Sequence, residues 1–328
     1  MAGPVLVVGA TGQLGTAVVD RLAAARVRVR ALVRPASPRE FSTDGVELAF
    51  GDLREPESLV AACHGMATVV ATANVVVPRT PGTFDEVEAT GYDNLIDACR
   101  AEGVRRIIFL SAAVTPYDKS VTTFRLKRRI EERIQGSGIA HSIFRASLFM
   151  DDWFALMGSA LPLRGARAAT LRRPFWFSKG FLAMVGTLIE KRGIALVPGD
   201  GKTRHAFVAL DDVAAIVTAA ASAPEEGEIL IEELGGPEIL SWQEVVAIFS
   251  RVLGRPLKSL HTPAGVYRVA ADVLEALSPP AGNLMAMSWV GAKSGLAFDG
   301  KPLAERFGVR LTTAEEFLRA KAALPPEA

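Results

Sequence analysis

Hydrophobic and polar positions follow two rhythms along the first half of the chain. Short β-branched or apolar runs at 5–8, 27–33, 46–50, 67–71, 106–110 and 140–144 predict strands. Between them, helical spacing such as Leu14, Val18 and Leu22 predicts helices over 13–25, 57–63, 84–102 and about 121–135. Strand and helix in strict alternation, joined by short connections, specify right-handed crossovers in one parallel sheet, an α/β doubly wound fold. The rhythm breaks after Met150. Residues 151–179 mix aromatics with Arg164, Arg167, Arg172 and Arg173, and glycines and prolines interrupt any long helix. Further on, 194–197, 199–201 and 207–210 read as strand, turn and strand, and 211–221 as a helix capped by Asp211. A last unit runs from a strand at 229–231 through Gly235-Gly236-Pro237 to a helix at 242–253. Without a repeat or low-complexity linker, residues 1–150 are expected to form a core and 151–328 a set of extensions packed on the same sheet.

The turn between the first strand and the first helix reads Gly9-Ala10-Thr11-Gly12-Gln13-Leu14-Gly15. In that position a GxxGxxG pattern has a physical purpose. Gly9 permits the tight turn, Gly12 the close approach of a pyrophosphate to the helix N-terminus, and Gly15 the packing of helix on sheet. Thr11, Gln13 and Leu14 supply backbone around the same phosphates. The sheet is therefore of Rossmann type, with residues 1–150 as its dinucleotide-binding core. An acid near the end of the second strand would take a ribose 2′-hydroxyl, and an arginine there accommodates a 2′-phosphate. Here the strand ends in Val33-Arg34-Pro35, with no acid until Glu40. Arg34 favours NADP(H) over NAD(H), with Arg39 as a second contact; a strand-end arginine facing water is the alternative reading.

Composition narrows the rest. With 37 Lys+Arg against 36 Asp+Glu, no global field draws nucleic acid or an anionic membrane. The longest apolar stretch, 67–78, is too short for a bilayer span of ~20 residues. The first strand begins too near Met1 for a cleavable leader, and a cytoplasmic location is expected. Cys63 and Cys99 lack CxxC spacing and read as buried thiols, and the four histidines show no metal-ligand spacing.

In order along the chain, several runs resemble the NmrA-like, NAD(P)H-binding group of atypical short-chain dehydrogenases. They are Gly9 to Gly15, Leu32-Val33-Arg34, Gly51-Asp52-Leu53, Asn94-Leu95-Ile96-Asp97-Ala98, Gly103-Val104 and Ser111-Ala112-Ala113. The similarity continues through Lys127 with Glu131 before Ser137-Gly138, Phe149-Met150, 207–214 and Leu234-Gly235-Gly236-Pro237-Glu238. The resemblance implies a nicotinamide cofactor with Asp52 and Leu53 near the adenine, and Thr72, Ala73 and Asn74 beside it.

Orthodox relatives in that superfamily use a Tyr-x-x-x-Lys pair. Lys127 matches the lysine, and Thr123 stands where the tyrosine would, without the acidity to replace a phenol. Lys127 projects from the apolar face set by Phe124, Leu126, Ile130 and Ile134, so its ammonium needs a ligand or a partner such as Glu131, unless it snorkels outward. Ser111, at the C-terminal edge of a central strand, is a second catalytic candidate, and Tyr117 in the next loop is a weaker replacement for the phenol. Two functions fit. One is hydride transfer from NADPH to a small hydrophobic carbonyl, quinone or enone-like substrate, with Lys127 organising the ribose. The other is a non-catalytic dinucleotide sensor or assembly subunit. A homodimer is among the open options for assembly.

Overall fold

The computed structural model describes residues 3–35, 45–74, 84–166, 168–172, 176–223 and 229–325. Its first half contains β1 (Val5–Val8), α1 (Gln13–Ala24), β2 (Val29–Val33), β3 (Val46–Phe50), α2 (Pro56–Cys63), β4 (Thr68–Ala71), α3 (Gly91–Ala101), β5 (Arg106–Ala112), α4 (Thr122–Gln135) and β6 (Ala140–Ala146). Every residue of β1 and β4 is buried, because helices cover both faces of a parallel sheet. On one face, α1 seats Leu14, Val18, Val19 and Leu22, each buried side chain contributing roughly 1.5–3 kcal/mol of transfer free energy. On the other, α2, α3 and α4 cover Leu6, Val69, Ile107 and Phe109.

One predicted helix divides in two. Residues Phe84–Thr90 form a π-helical turn, and α-helical winding begins at Gly91. Such wide turns are uncommon and re-aim side chains, here bringing Glu88 inside.

The second half contains α5 (Met150–Leu156), α6 (Trp176–Val185), α7 (Leu188–Arg192), β7 (Ile194–Pro198), β8 (Arg204–His205), α8 (Leu210–Ser222), β9 (Ile229–Leu234), β10 (Leu240–Ser241), α9 (Trp242–Leu253), β11 (Lys258–Thr262), α10 (Ala264–Leu277), α11 (Pro279–Lys293), α12 (Lys301–Arg306) and α13 (Ala314–Ala323). Seven strands form one parallel sheet in the order β3-β2-β1-β4-β5-β6-β9. It is a Rossmann-type doubly wound sheet. The order reverses between β1 and β4, which opens a crevice at their C-terminal ends.

Two expectations for this half are corrected. Residues 207–210 are not a strand: Val208 makes one isolated bridge to Phe149, and Leu210 already opens α8. Nor does Asp211 cap α8. That helix starts one residue earlier, so Asp211 lies in its first turn, and Asp151 Oδ2 takes the Leu210 amide at 3.0 Å instead. Burial raises the Asp151 pKa, while that amide and the Lys321 ammonium pull it down. Beyond Pro256 the sequence pattern had indicated no elements. There β11 pairs with β7, and α10 packs on α11 so closely that a Cβ on Gly282 would lie 2.7 Å from Glu275 Cα. Among the described residues no helix is long and apolar enough to cross a membrane.

An aromatic cluster of Trp153, Phe154, Phe207, Trp242 and Phe249 holds the second half together. His205 lies buried within it, with Nε2 3.0 Å from the Gly291 carbonyl. Burial depresses its pKa from 6.5 to about 4, so the folded imidazole stays neutral. The unfolded chain therefore takes up a proton first as the pH falls. His205's contribution is fully present above pH 6.5 and declines towards pH 4, by roughly 3 kcal/mol in all. Urea midpoints measured across that window are expected to fall in the parent and to fall less in His205→Gln. Equal slopes would assign the acid sensitivity to other groups.

Candidate dinucleotide site

The crevice is built around the glycine turn. Gly9 has φ +87°, and a Cβ on it would stand 2.6 Å from the Ala73 nitrogen in the loop after β4. A Cβ on Gly15 would stand 2.1 Å from Gly9 O, so α1 seats directly on the turn. Gly12 is the α1 N-cap and donates its N–H to Gly9 O at 2.9 Å. Among the described residues no side chain caps α1, and its first turn holds no acid. Amides at a helix start suit an anion, and the missing Cβ atoms let backbone come close to it. The residues present fit a dinucleotide pyrophosphate. Gln13 Oε1 accepts the Thr170 N–H at 3.4 Å, and Leu14 points into the core.

Arg34 is exposed at the end of β2. Its charge reaches Asp52, whose carboxyl is held below the usual range first by hydrogen bonds from Arg54 and further by the Arg34 field. Arg54 Nε and Nη2 each donate to Asp52 at 2.9 Å. Asn94 Nδ2 donates to Leu53 O at 3.0 Å, fixing the loop that holds both residues. Thr72 is tied to the end of β1, its N–H and hydroxyl both donating to Val8 O. The Tyr92 hydroxyl donates to Ala73 O at 2.6 Å, and Asn74 is exposed at the limit of the described segment. Arg39, Glu40, Arg167 and Arg173 lie outside the described residues. Arg164 caps α13, donating to Leu324 O at 3.0 Å.

Both catalytic candidates have internal partners. Lys127 Nζ lies 3.6 Å from Glu88 Oε2 and 4.9 Å from the Phe109 ring centroid, with the Tyr92 ring at 5.8 Å. Glu131 is engaged elsewhere. It accepts from the Ser111 hydroxyl and pairs at 2.7 Å with Arg128 and with Arg145. That hydrogen bond to Glu131 raises the Arg145 pKa, whereas burial lowers that of Arg128. Ser111 thus joins a buried ionic network between α4, β5 and β6.

At the position of the missing phenol, the Thr123 hydroxyl donates to Asn283 Oδ1 of α11 at 2.9 Å. Tyr117 packs on Trp289 with centroids 4.6 Å apart, and Val121, Phe124, Met285 and Met287 complete an apolar wall beside Ala112 at the end of β5. Glu88, Tyr92 and Asn283 were absent from the sequence reading. An acid and a phenol at helical spacing gave no warning of a π-turn, and Asn283 lies 160 residues from Thr123.

Comparison with known proteins agrees with this architecture. NAD(P)H azoreductase of Xenophilus azovorans is 30% identical over 291 residues, covering 84% of this chain and 87% of that protein. Photosystem II assembly factor Ycf39 of Cyanophora paradoxa is 34% identical over 142 residues, 43% of this chain and 44% of that protein. Among solved structures, NADPH-dependent quinone oxidoreductase QOR2 of Escherichia coli, complexed with NADPH, superposes with a TM-score of 0.69. At 21% identity, covering 97% of this chain and 99% of that one, it shares the fold. The family model described as NmrA-like matches residues 1–278, and with that span and the azoreductase similarity the chain belongs to the NmrA-like family.

Proposed function

We propose that this chain is an NADPH-preferring reductase of small, planar, hydrophobic acceptors. The observation that carries the reading is the glycine turn into α1, where Gly9 packs on the loop after β4 and Gly15 packs on Gly9. Backbone from Thr11 to Leu14, with Gly12, holds the pyrophosphate, and Arg34 meets the 2′-phosphate. Asp52 and Leu53 border the adenine, Thr72, Ala73 and Asn74 line the crevice, and Lys127 supplies positive charge beneath the nicotinamide ribose. When bound, the cofactor supplies the hydride.

The acceptor lies against Ala112 and the wall made by Tyr117, Met287 and Trp289. Thr123 is bonded to Asn283 and has no acidity to spare, so the proton that completes the two-electron reduction comes from water or through Ser111. Quinones, azo compounds and enones tolerate that arrangement better than simple ketones, because their reduced anions are delocalised. The azoreductase similarity supports the same class. A cytoplasmic setting, with its NADPH supply, fits this reading.

The test is loss of NADPH fluorescence during incubation with a panel of quinones, azo dyes and aldehydes. Turnover of the first two and not the third is expected. Arg34→Ala should raise the NADPH dissociation constant by roughly 10–100-fold, the weight of one charge-assisted phosphate contact, and leave NADH within about twofold. Equal weakening of both cofactors defeats the assignment of Arg34.

A second reading is a subunit that binds NADPH and reports its presence without chemistry. The Thr123–Asn283 bond favours it, as does the partial similarity to an assembly factor. Tight NADPH binding with no oxidation by any acceptor would decide for it.

A further inference from the structure

The helix position of the missing phenol leads to an amide. Thr123 and Asn283 are 3% and 6% exposed, and the Thr123 hydroxyl donates to Asn283 Oδ1 at 2.9 Å. The amide nitrogen, with its two protons, therefore points away from that hydroxyl. Among the described residues its one acceptor is the Met287 sulfur, 3.7 Å from Nδ2, and a thioether is a weak acceptor. Turning the amide over would set Oδ1 against that sulfur, acceptor against acceptor, so both contacts fix the same orientation. A buried N–H donor with so little to meet is costly to keep, and a bound group that accepts from it accounts for its retention.

We propose that Asn283 is a catalytic residue of quinone reduction, its Nδ2–H donating to the acceptor oxygen on which charge gathers, and that Thr123 is the positioning residue that aims it. The inference rests on the reductase reading above and names a group that acts in it. Thr123 stands one helical turn before Lys127, on the same side of α4. Met287, one turn along α11 from Asn283, belongs with Tyr117 and Trp289 to the wall of the proposed acceptor seat, so the amide borders the same space.

An amide transfers no proton at neutral pH, but in an apolar setting its N–H stabilises an anion as an oxyanion hole does. The quinone takes up hydride from bound NADPH, leaving NADP+, and becomes a hydroquinone monoanion whose oxygen accepts from Nδ2–H. That anion then takes one proton from water, releasing hydroxide, and leaves as neutral hydroquinone. Water supplies the proton because the Ser111 hydroxyl already donates to Glu131.

NADPH oxidation by the full chain with benzoquinones carrying one to four methyl groups, whose hydroquinone anions grow more basic with each methyl, tests the role. Asn283→Leu should lower kcat by roughly 10²–10³-fold, the weight of one oxyanion donor, while the NADPH dissociation constant stays within about twofold. The loss should grow along the series, because a more basic anion gains more from the donor. Thr123→Val should lower kcat by about tenfold, and Thr123→Ser, which keeps the hydroxyl, should restore most of it. Equal loss along the whole series would make Asn283 a packing residue and overturn the proposal. If Asn283→Leu does not fold, the Thr123 pair decides, and equal kcat in its valine and serine variants overturns the proposal. A parent that binds NADPH but passes hydride to no quinone brings down the reductase reading and this inference together. Parent turnover that survives Asn283→Leu brings down this inference alone.

Discussion

Gly12→Val is expected to raise the dissociation constant for NADPH at least ~100-fold while moving the thermal midpoint by no more than about 2 °C. The two halves of that result have separate causes. Gly12 sits at φ −78° and ψ 169°, extended backbone that any residue adopts, so a valine there adds no backbone strain. Yet it is the residue on which α1 opens, where a branched side chain would occupy the proposed seat of the pyrophosphate. The neighbouring glycines should behave in the opposite way. Gly9→Ala meets both a positive φ, a strain of about 1–3 kcal/mol, and the Ala73 nitrogen. Gly15→Ala meets Gly9 O at a distance no real Cβ tolerates. Both should lower the thermal midpoint by several degrees, and their loss of cofactor would follow from loss of fold. Calorimetric titration paired with thermal melts separates these classes. A Gly12→Val protein that binds NADPH like its parent would remove the start of α1 as the phosphate seat.

The contrast among these glycines shows what the sequence could express. Strand and helix in the first half are legible because burial on two faces enforces continuous apolar runs, as in β1 and β4, and a single face enforces helical spacing, as in α1. In the π-turn at 84–90, Phe84 and Val87 keep the i, i+3 spacing of a helix, so periodicity ran through it. The partners of Lys127 and Ser111 were hidden for a related reason. Spacing along α4 pointed Lys127 at Glu131 one turn on, but strand β6 carries Arg145 to Glu131, and the π-turn carries Glu88 to Lys127. Tertiary contacts of that kind leave no local trace. The same holds for α8, whose cap comes from Asp151, fifty-nine positions earlier.

Lys127 and Glu88 pose the sharpest question about the site, and stability and turnover should answer it separately. Their side chains are only 4% and 1% exposed, with 3.6 Å between nitrogen and oxygen. Lys127→Met and Glu88→Gln each break a buried ion pair, the second leaving the ammonium against Phe109 and Tyr92, so each should cost about 3–5 kcal/mol in urea unfolding. Removing both takes out the whole pair. The double variant should recover most of that loss, giving a coupling energy well above what an exposed pair shows. If Lys127 also organises the nicotinamide ribose, the recovered protein should remain crippled, with kcat/KM for quinone reduction down by roughly 10²–10³-fold. Glu88→Gln alone, assayed below its melting range, should keep far more turnover than Lys127→Met, because it leaves the ammonium in place. Turnover that returns together with stability in the double variant would make the pair a structural tie between the π-turn and α4, and would pass the electrostatic work at the cofactor to the arginines around Ser111.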